Sequence, residues 1–137
     1  MFCIYCGSET EVVNSRPKQK IPAVWRRRRC NSCKSIFSSR EKPDLSSSIK
    51  VQNSSGNLEP FSEDKLYLSI KDSLSHREAY QAQARQLTDT VIGKLLPCQS
   101  GILKTDEIIP AAYKIIRRFD RPAATYYKSH HRLENSN

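Results

Sequence analysis

Hydrophobic positions follow two unlike patterns along the chain. Over residues 1–42, Ile4, Val12, Val13, Ile21, Val24, Trp25, Ile36 and Phe37 are nearly the whole apolar stock, too few to stabilise a fold unaided. Further on, a helical period appears. Leu66, Ile70 and Leu74 recur every four residues behind Ser62, an N-cap residue type, with Glu63 and Asp64 in the first turn, which predicts a helix over 62–75. A second helix is predicted over 78–96, with Leu87, Val91 and Leu95 on one stripe, Ile92 and Leu96 beside it, and Pro97 as its stop. Gln99-Ser100-Gly101 reads as a loop. Thr105 then reads as the cap of a third helix with Ile108, Ala112, Ile115 and Phe119 on its buried face and Ile109 and Ile116 widening it. Pro110 is placed near that helix's start, where its missing N–H matters least. A last helix starts at Arg121-Pro122 and runs to about Leu133, with Tyr126 in the core and Tyr127 at its rim, before a polar tail at 134–137.

Between the two regimes, Pro43, Asp44 and the run Ser46-Ser47-Ser48 have linker composition and put the domain join near 43–48. Residues 49–52 and 58–61 then read as a β-hairpin around the turn 54–57. The whole is an α+β chain: a small module at 1–45, a compact hairpin-plus-helices domain at 46–133, and the tail.

Charge and cysteines say what holds the first module together. The 137 residues carry a formal charge of +9, which points to an anionic partner such as nucleic acid. Residues 1–45 hold ten Lys or Arg against four Asp or Glu, and the remainder thirteen against ten, so the front third is the better polyanion candidate. No stretch reaches the roughly 18 apolar residues of a membrane helix, and the chain opens on a cysteine motif without a signal-peptide layout, so a cytoplasmic protein is expected. In that compartment paired cysteines bind metal or react more readily than they form lasting disulfides. Cys3-Ile4-Tyr5-Cys6 and Cys30-Asn31-Ser32-Cys33 are two CxxC turns with 23 residues between them. Two such turns aim four thiolates at one tetrahedral ion, a zinc ribbon with one structural zinc per chain, although iron suits the same ligands. Gly7 lets the backbone turn back after the second ligand, and Lys34 at the matching place favours the thiolate cluster electrostatically. A redox CxxC or paired disulfides are the competing reading. Cys98 stands apart, as a small, partly buried residue.

Arg26-Arg27-Arg28-Arg29 abuts Cys30, so the metal turn holds its backbone. On an extended segment the four guanidiniums point alternately to both sides, two toward phosphates and two toward groove edges or acidic neighbours. Arg16, Lys18, Lys20, Lys34 and Arg40 extend the patch, and Trp25 is expected to pack beneath it. No Ser/His/Asp or Cys/His nucleophile arrangement and no glycine-rich phosphate loop is apparent, so a non-enzymatic protein is expected.

These residues resemble the NrdR family, bacterial transcriptional repressors of ribonucleotide reductase genes. The likeness rests on both CxxC pairs, Val13-Asn14-Ser15-Arg16, the arginine run, and Phe37-Ser38-Ser39-Arg40-Glu41, similar to the family's Phe-Thr-Thr-x-Glu. The remainder looks like an ATP-cone, a short β-hairpin followed by a helical bundle: Val51 to Gly56 answers to its opening strand and turn, Glu59-Pro60-Phe61-Ser62 to its Pro-Phe-Asp segment, and Lys65-Leu66 to its Lys-Leu pair. The resemblance implies a homo-oligomer whose assembly responds to ATP or dATP and which sets its zinc ribbons on double-stranded operator DNA. Carried across, it assigns Cys3, Cys6, Cys30 and Cys33 to zinc and Arg16, Arg26, Arg27, Arg28 and Arg29 to DNA. Val51, Glu59 and Lys65, with Lys50, go to the nucleotide. The sequence departs from the family at Asn53-Ser54-Ser55, where the cone usually has basic residues and an Asp before its turn glycine. It departs again at 123–131, where the usual Ala-Tyr-x-Arg-Phe-Ala-Ser-Val-Tyr is absent. The arginine run also adjoins Cys30 directly, without the family's usual intervening residue. The alternative function is a nucleotide-sensing or protein-interaction module without specific DNA binding.

Overall fold

A computed structural model describes residues 1–133; the tail expected at 134–137 lies outside the described residues. The chain divides into two compact units, residues 1–43 and residues from 44 onward.

The first unit is a three-stranded antiparallel sheet of β1 (Thr10–Pro17), β2 (Val24–Cys30) and β3 (Ile36–Glu41), with β2 in the centre. β1 and β2 are joined by a loop closed through Lys18 N–H to the Ala23 carbonyl. A register shift between Val12 and Asn14 bends β1, as an extra residue in one strand does. The scarcity of apolar residues shows directly: only Cys3, Ile21, Ala23 and Cys30 of this unit are buried apolar positions.

The second unit starts with a correction to the linker expectation. Leu45–Ser48 forms one helical turn, α1, because Asp44 accepts the backbone N–H groups of Ser46 and Ser47. Side-chain hydrogen bonding from Ser46 and then Ser47, with a smaller share from those backbone contacts, holds the Asp44 carboxyl below the usual range. β4 (Lys50–Gln52) and β5 (Leu58–Pro60) make the hairpin. Its turn is built by Asn53, whose Oδ1 accepts the N–H groups of Ser55 and Asn57, and by Gly56 at φ +84°, a conformation that favours glycine. The sheet has a third member absent from the sequence reading. β6 (Ile102–Lys104) lies parallel to β4 on the side away from β5.

Among the described residues, four further helices belong to this unit: α2 (Glu63–Ser73), α3 (Tyr80–Leu95), α4 (Thr105–Phe119) and α5 (Arg121–His130). Ser62 caps α2 by accepting the Lys65 N–H at 3.2 Å. Thr105 does not cap α4. It is the first helical residue, and its hydroxyl donates to the Gln52 carbonyl, while Glu107 takes the N–H of Lys104. Pro110 falls inside α4 rather than in its first turn, removing the N–H that would otherwise meet the Asp106 carbonyl. The buried face of α4 is turned from the expected one: Ala112 and Ile116 are fully buried, Ile108 and Ile115 only partly, and Phe119 is exposed. The Arg77 guanidinium covers the Phe119 ring at 4.7 Å, a contact open to a ring at the helix edge. On α5 the tyrosines are reversed from expectation, Tyr127 buried and Tyr126 exposed, and burial pushes the Tyr127 phenol up to about 12.

One apolar cluster joins these elements, from Ile49 and Phe61 through Leu66, Ile70, Leu74, Val91 and Ile116 to Tyr127. Two buried hydroxyls satisfy themselves within their own helices, Ser73 on the Ile70 carbonyl and Thr88 on the Ala84 carbonyl. Among the described residues no helix is long and apolar enough to cross a membrane.

Candidate metal centre and nucleic-acid interface

The sequence of each CxxC dictates a tight turn, and the two turns are built alike. Gly7 N–H closes the first on the Cys3 carbonyl at 3.0 Å, and Tyr5 N–H points at Cys3 Sγ. In the second, the N–H groups of Ser32 and Cys33 point at Cys30 Sγ, both at 3.4 Å. Such donors favour the thiolate form. The residue after each second ligand is left-handed, Gly7 at φ +77° and Lys34 at φ +62°. For lysine that conformation costs about 1 kcal/mol; its ammonium donates to the Asn31 carbonyl at 2.7 Å, which anchors the turn.

The four Sγ atoms lie within 4.8 Å of one another, with Cys3 and Cys33 at 3.7 Å and Cys6 and Cys30 at 3.5 Å. Sulfurs about 2.3 Å from a central zinc at tetrahedral angles stand about 3.8 Å apart, so these spacings fit one ion. They are too long for disulfides, which need about 2.05 Å, and all five cysteines are free. Hydrogen bonding from Ser8 brings the Cys6 thiol down to about 6 and from Ser35 lowers that of Cys33, while burial pushes the Cys30 thiol up. Four thiolates fill a tetrahedral shell, so the metal's contribution here is to cross-link the chain. Cys98 lies outside this cluster, its Sγ near the Ser100 hydroxyl and the Ile102 carbonyl.

β2 leaves the second turn backward through the arginine run, and strand alternation splits the run between two faces. Arg26 and Arg28 share a face with Ser15, Thr10, Ser39 and Glu41. Arg26 donates to Ser15 and pairs with Glu41 at 2.9 Å; Arg28 donates to Ser39 at 3.0 Å and reaches Thr10 at 3.5 Å. On the other face, Arg29 pairs with Glu11 directly opposite at 2.6 Å. Arg27 stands between Asn14 and Ser38, and Trp25 between Arg16 and Arg40. Arg16, Arg27 and Arg40 are exposed, and among the described residues their side chains have no hydrogen bond or ion pair. Trp25 is half-buried in this row.

The residues assigned to nucleotide gather at the hairpin of the second unit. Val51 lies opposite Glu59, and Lys65 from the first turn of α2 reaches Glu59 at 3.3 Å. Lys50 is exposed, its N–H bound to the Gly101 carbonyl. Val51 is partly buried against the core. Asn53, where a cone usually carries a cation, has its side-chain oxygen committed to the turn.

One polar cluster was missed by the sequence reading. Asp120 ends α4 and begins α5, its Oδ1 accepting the Ala123 N–H at 2.8 Å while Oδ2 takes Arg77 at 2.8 Å and His76 at 3.1 Å. Burial pushes its carboxyl up, but those three donors together hold it below the usual range. The signal was present as an Asp two residues before a proline, an N-cap placing Pro122 in the first turn. His130 is exposed and stacks on Tyr126; His131 is half-buried and stacks on Tyr127, each pair with centroids 4.2 Å apart.

Comparison with known proteins agrees with this geometry. A family model described as "Transcriptional repressor NrdR-like, N-terminal domain" matches residues 1–41. Beyond the ribbon, a protein of Phenylobacterium zucineum named "Transcriptional repressor NrdR" is 31% identical over 133 residues, covering 96% of this chain and 85% of its own length. Proteins of the same name from Maricaulis maris and Chlamydia muridarum are 28% and 31% identical, over 98% and 88% of this chain and 86% and 78% of theirs. A likeness that begins at the cysteine turns and continues through the helical unit is a likeness of the whole arrangement, and on it this chain, a zinc ribbon followed by an ATP-cone, belongs to the NrdR family of transcriptional repressors.

Proposed function

We propose that this chain is a nucleotide-responsive, zinc-dependent repressor that binds operator DNA of ribonucleotide reductase genes in the cytoplasm. The observation that carries it is the continuity of Cys30 with the arginine run: the strand that supplies a metal ligand also displays the cations, so the metal fixes where they point. Phosphate and groove contacts come from within the set Arg16 and Arg26 to Arg29, for which the guanidinium fork is suited. The cone senses ATP or dATP through Lys50, Val51, Glu59 and Lys65. Lys65, in the first turn of α2, supplies positive charge for a phosphate chain at the helix N-terminus, and the Lys65–Glu59 pair, exposed on both sides, opens at little cost. Nucleotide occupancy then alters a homo-oligomeric assembly and with it the spacing of the ribbons. Footprinting on DNA upstream of the host's reductase genes, with zinc-loaded protein and ATP or dATP, tests the proposal. Protection that depends on nucleotide supports it; no protection in any state overturns the repressor reading, and no calorimetric heat with either nucleotide overturns the sensor.

A second reading, a protein-interaction module without specific DNA binding, draws on the first cysteine turn. Phe2, Ile4 and Tyr5 there are exposed by 71%, 64% and 65%, a grouping that marks contact surfaces. Replacing Arg27 and Arg28 by serine separates the readings: loss of operator binding with the fold intact supports the repressor, and unchanged gene regulation supports the module.

A further inference from the structure

The two faces of the ribbon sheet are chemically unequal, although both carry arginines. On the face of Arg26 and Arg28, each guanidinium is spoken for by the sheet itself, through Ser15, Glu41, Ser39 and Thr10. An arginine that moved to a phosphate from there would abandon hydrogen bonds already made. On the opposite face Arg16, Trp25 and Arg40 sit in one row across the three strands, and Asn14, Arg27 and Ser38 form the next. Neighbouring strands are about 4.8 Å apart, so Arg16 and Arg40 flank Trp25 with about 10 Å between their strands. The only acid in register on this face is Glu11, and Arg29 neutralises it.

We infer that the face bearing Arg16, Arg27 and Arg40 is the surface that docks on the sugar-phosphate backbone of duplex DNA, while Arg26 and Arg28 brace the sheet. The inference rests on the DNA-binding reading and sharpens it, adding Arg40 to the contact set and removing two members of the arginine run. Charge complementarity selects the occupant. Three cations without partners among the described residues sit on a flat, hydrogen-bonded platform whose neighbouring side chains, Asn14 and Ser38, are small and neutral. Single strands are held by successive exposed aromatic platforms, whereas the one aromatic on this face, Trp25, is half-buried.

The test is the salt dependence of binding to a mixed-sequence duplex by fluorescence anisotropy, using zinc-loaded full-length chain. Each lost phosphate contact lowers the slope of log affinity against log salt by about 0.9. Arg16→Gln, Arg27→Gln and Arg40→Gln are each expected to lower it by that amount, and the corresponding lysine variants to restore it. Arg26→Gln and Arg28→Gln are expected to leave the slope unchanged and to reduce the ribbon's thermal stability, with zinc stoichiometry checking that each variant is folded. The assignment of faces is overturned if the Arg26 and Arg28 variants lower the slope and the other three do not, with parental binding intact. Tighter binding to the single strand of the same sequence, lost with Trp25→Ala, overturns the duplex. If the parent chain binds no duplex even at low salt, the DNA-binding reading fails, and the docking face with it.

Discussion

The two units of this chain solve the same problem with different means. The ribbon has four buried apolar residues, two of them metal-ligand cysteines, whereas the cone buries a cluster of fifteen among the described residues. Below about 40 residues a hydrophobic core does not suffice and a metal or disulfide is needed; the cone is long enough to do without. The ribbon's surface is thereby freed from supplying stability, and its strands display arginine where a self-sufficient sheet would need apolar side chains. The cone shows the opposite allocation, with charges at helix ends and Ile, Leu and Val along the helix faces.

If that contrast is right, the units should fail separately. The largest effect is expected from metal removal: structural zinc contributes on the order of 10 kcal/mol to modules of this kind, so a strong chelator, or Cys30→Ala, should unfold residues 1–43. Amide exchange or NMR would show collapse of the ribbon signals with the cone's retained. A ribbon that stays folded without metal would break the comparison. Next in size is Ile70→Ala in the cone core, where Ile70 is fully buried, at a cost of about 3 kcal/mol. Thermal melting should move for the cone, while zinc retention by the ribbon stays at the parental level.

Asp120→Ala should cost the cone about 2 kcal/mol, as a cap whose carboxylate also ties two further side chains. The same group gives a pH dependence. Because the folded carboxyl is held below its usual value, its stabilisation is fully present above the ordinary carboxylate pKa of about 3.9 and is lost as pH falls through the lowered folded value. The difference in melting temperature between parent and Asp120→Asn should therefore narrow on acidification through that window. Widening would contradict the assignment. The smallest effect belongs to Ser62→Ala, about 1 kcal/mol for the lost N-cap of α2, measurable by denaturant unfolding.

What the sequence disclosed, and what it withheld, follows from the range of the signals. Cysteine spacing, the Ser62 cap and the turn expected at 54–57 are local, and the residues themselves state them. β6 is three residues with no period to detect and forms only because β4 is there to pair with it. On α4 the stripes through Ile115 and Ile116 were both apolar, and only the packed neighbours choose between them. The adjacent Tyr126 and Tyr127 posed the same choice, and the core took the second. Alternation of the arginine run was legible from an extended backbone, but which pair is tied down depends on Ser15, Ser39 and Glu41 arriving from other strands. At the candidate nucleotide site Lys65 and Glu59 could be located from the residues, whereas their ion pair shows only once the hairpin and α2 are folded.

The parallel pairing of β4 with β6 sets an order of assembly at the ribosome. The ribbon's last strand ends at Glu41 and all four of its cysteines precede it, so this unit can take its metal as soon as it clears the exit tunnel. The inner strand of the cone, finished at Gln52, must wait for a neighbour completed at Lys104. At about 5–20 residues per second that interval is roughly 3–10 s. For that time the nascent chain carries a finished cationic head on an unfinished body, so any contact the ribbon makes with nucleic acid before then is made ahead of the cone's folding.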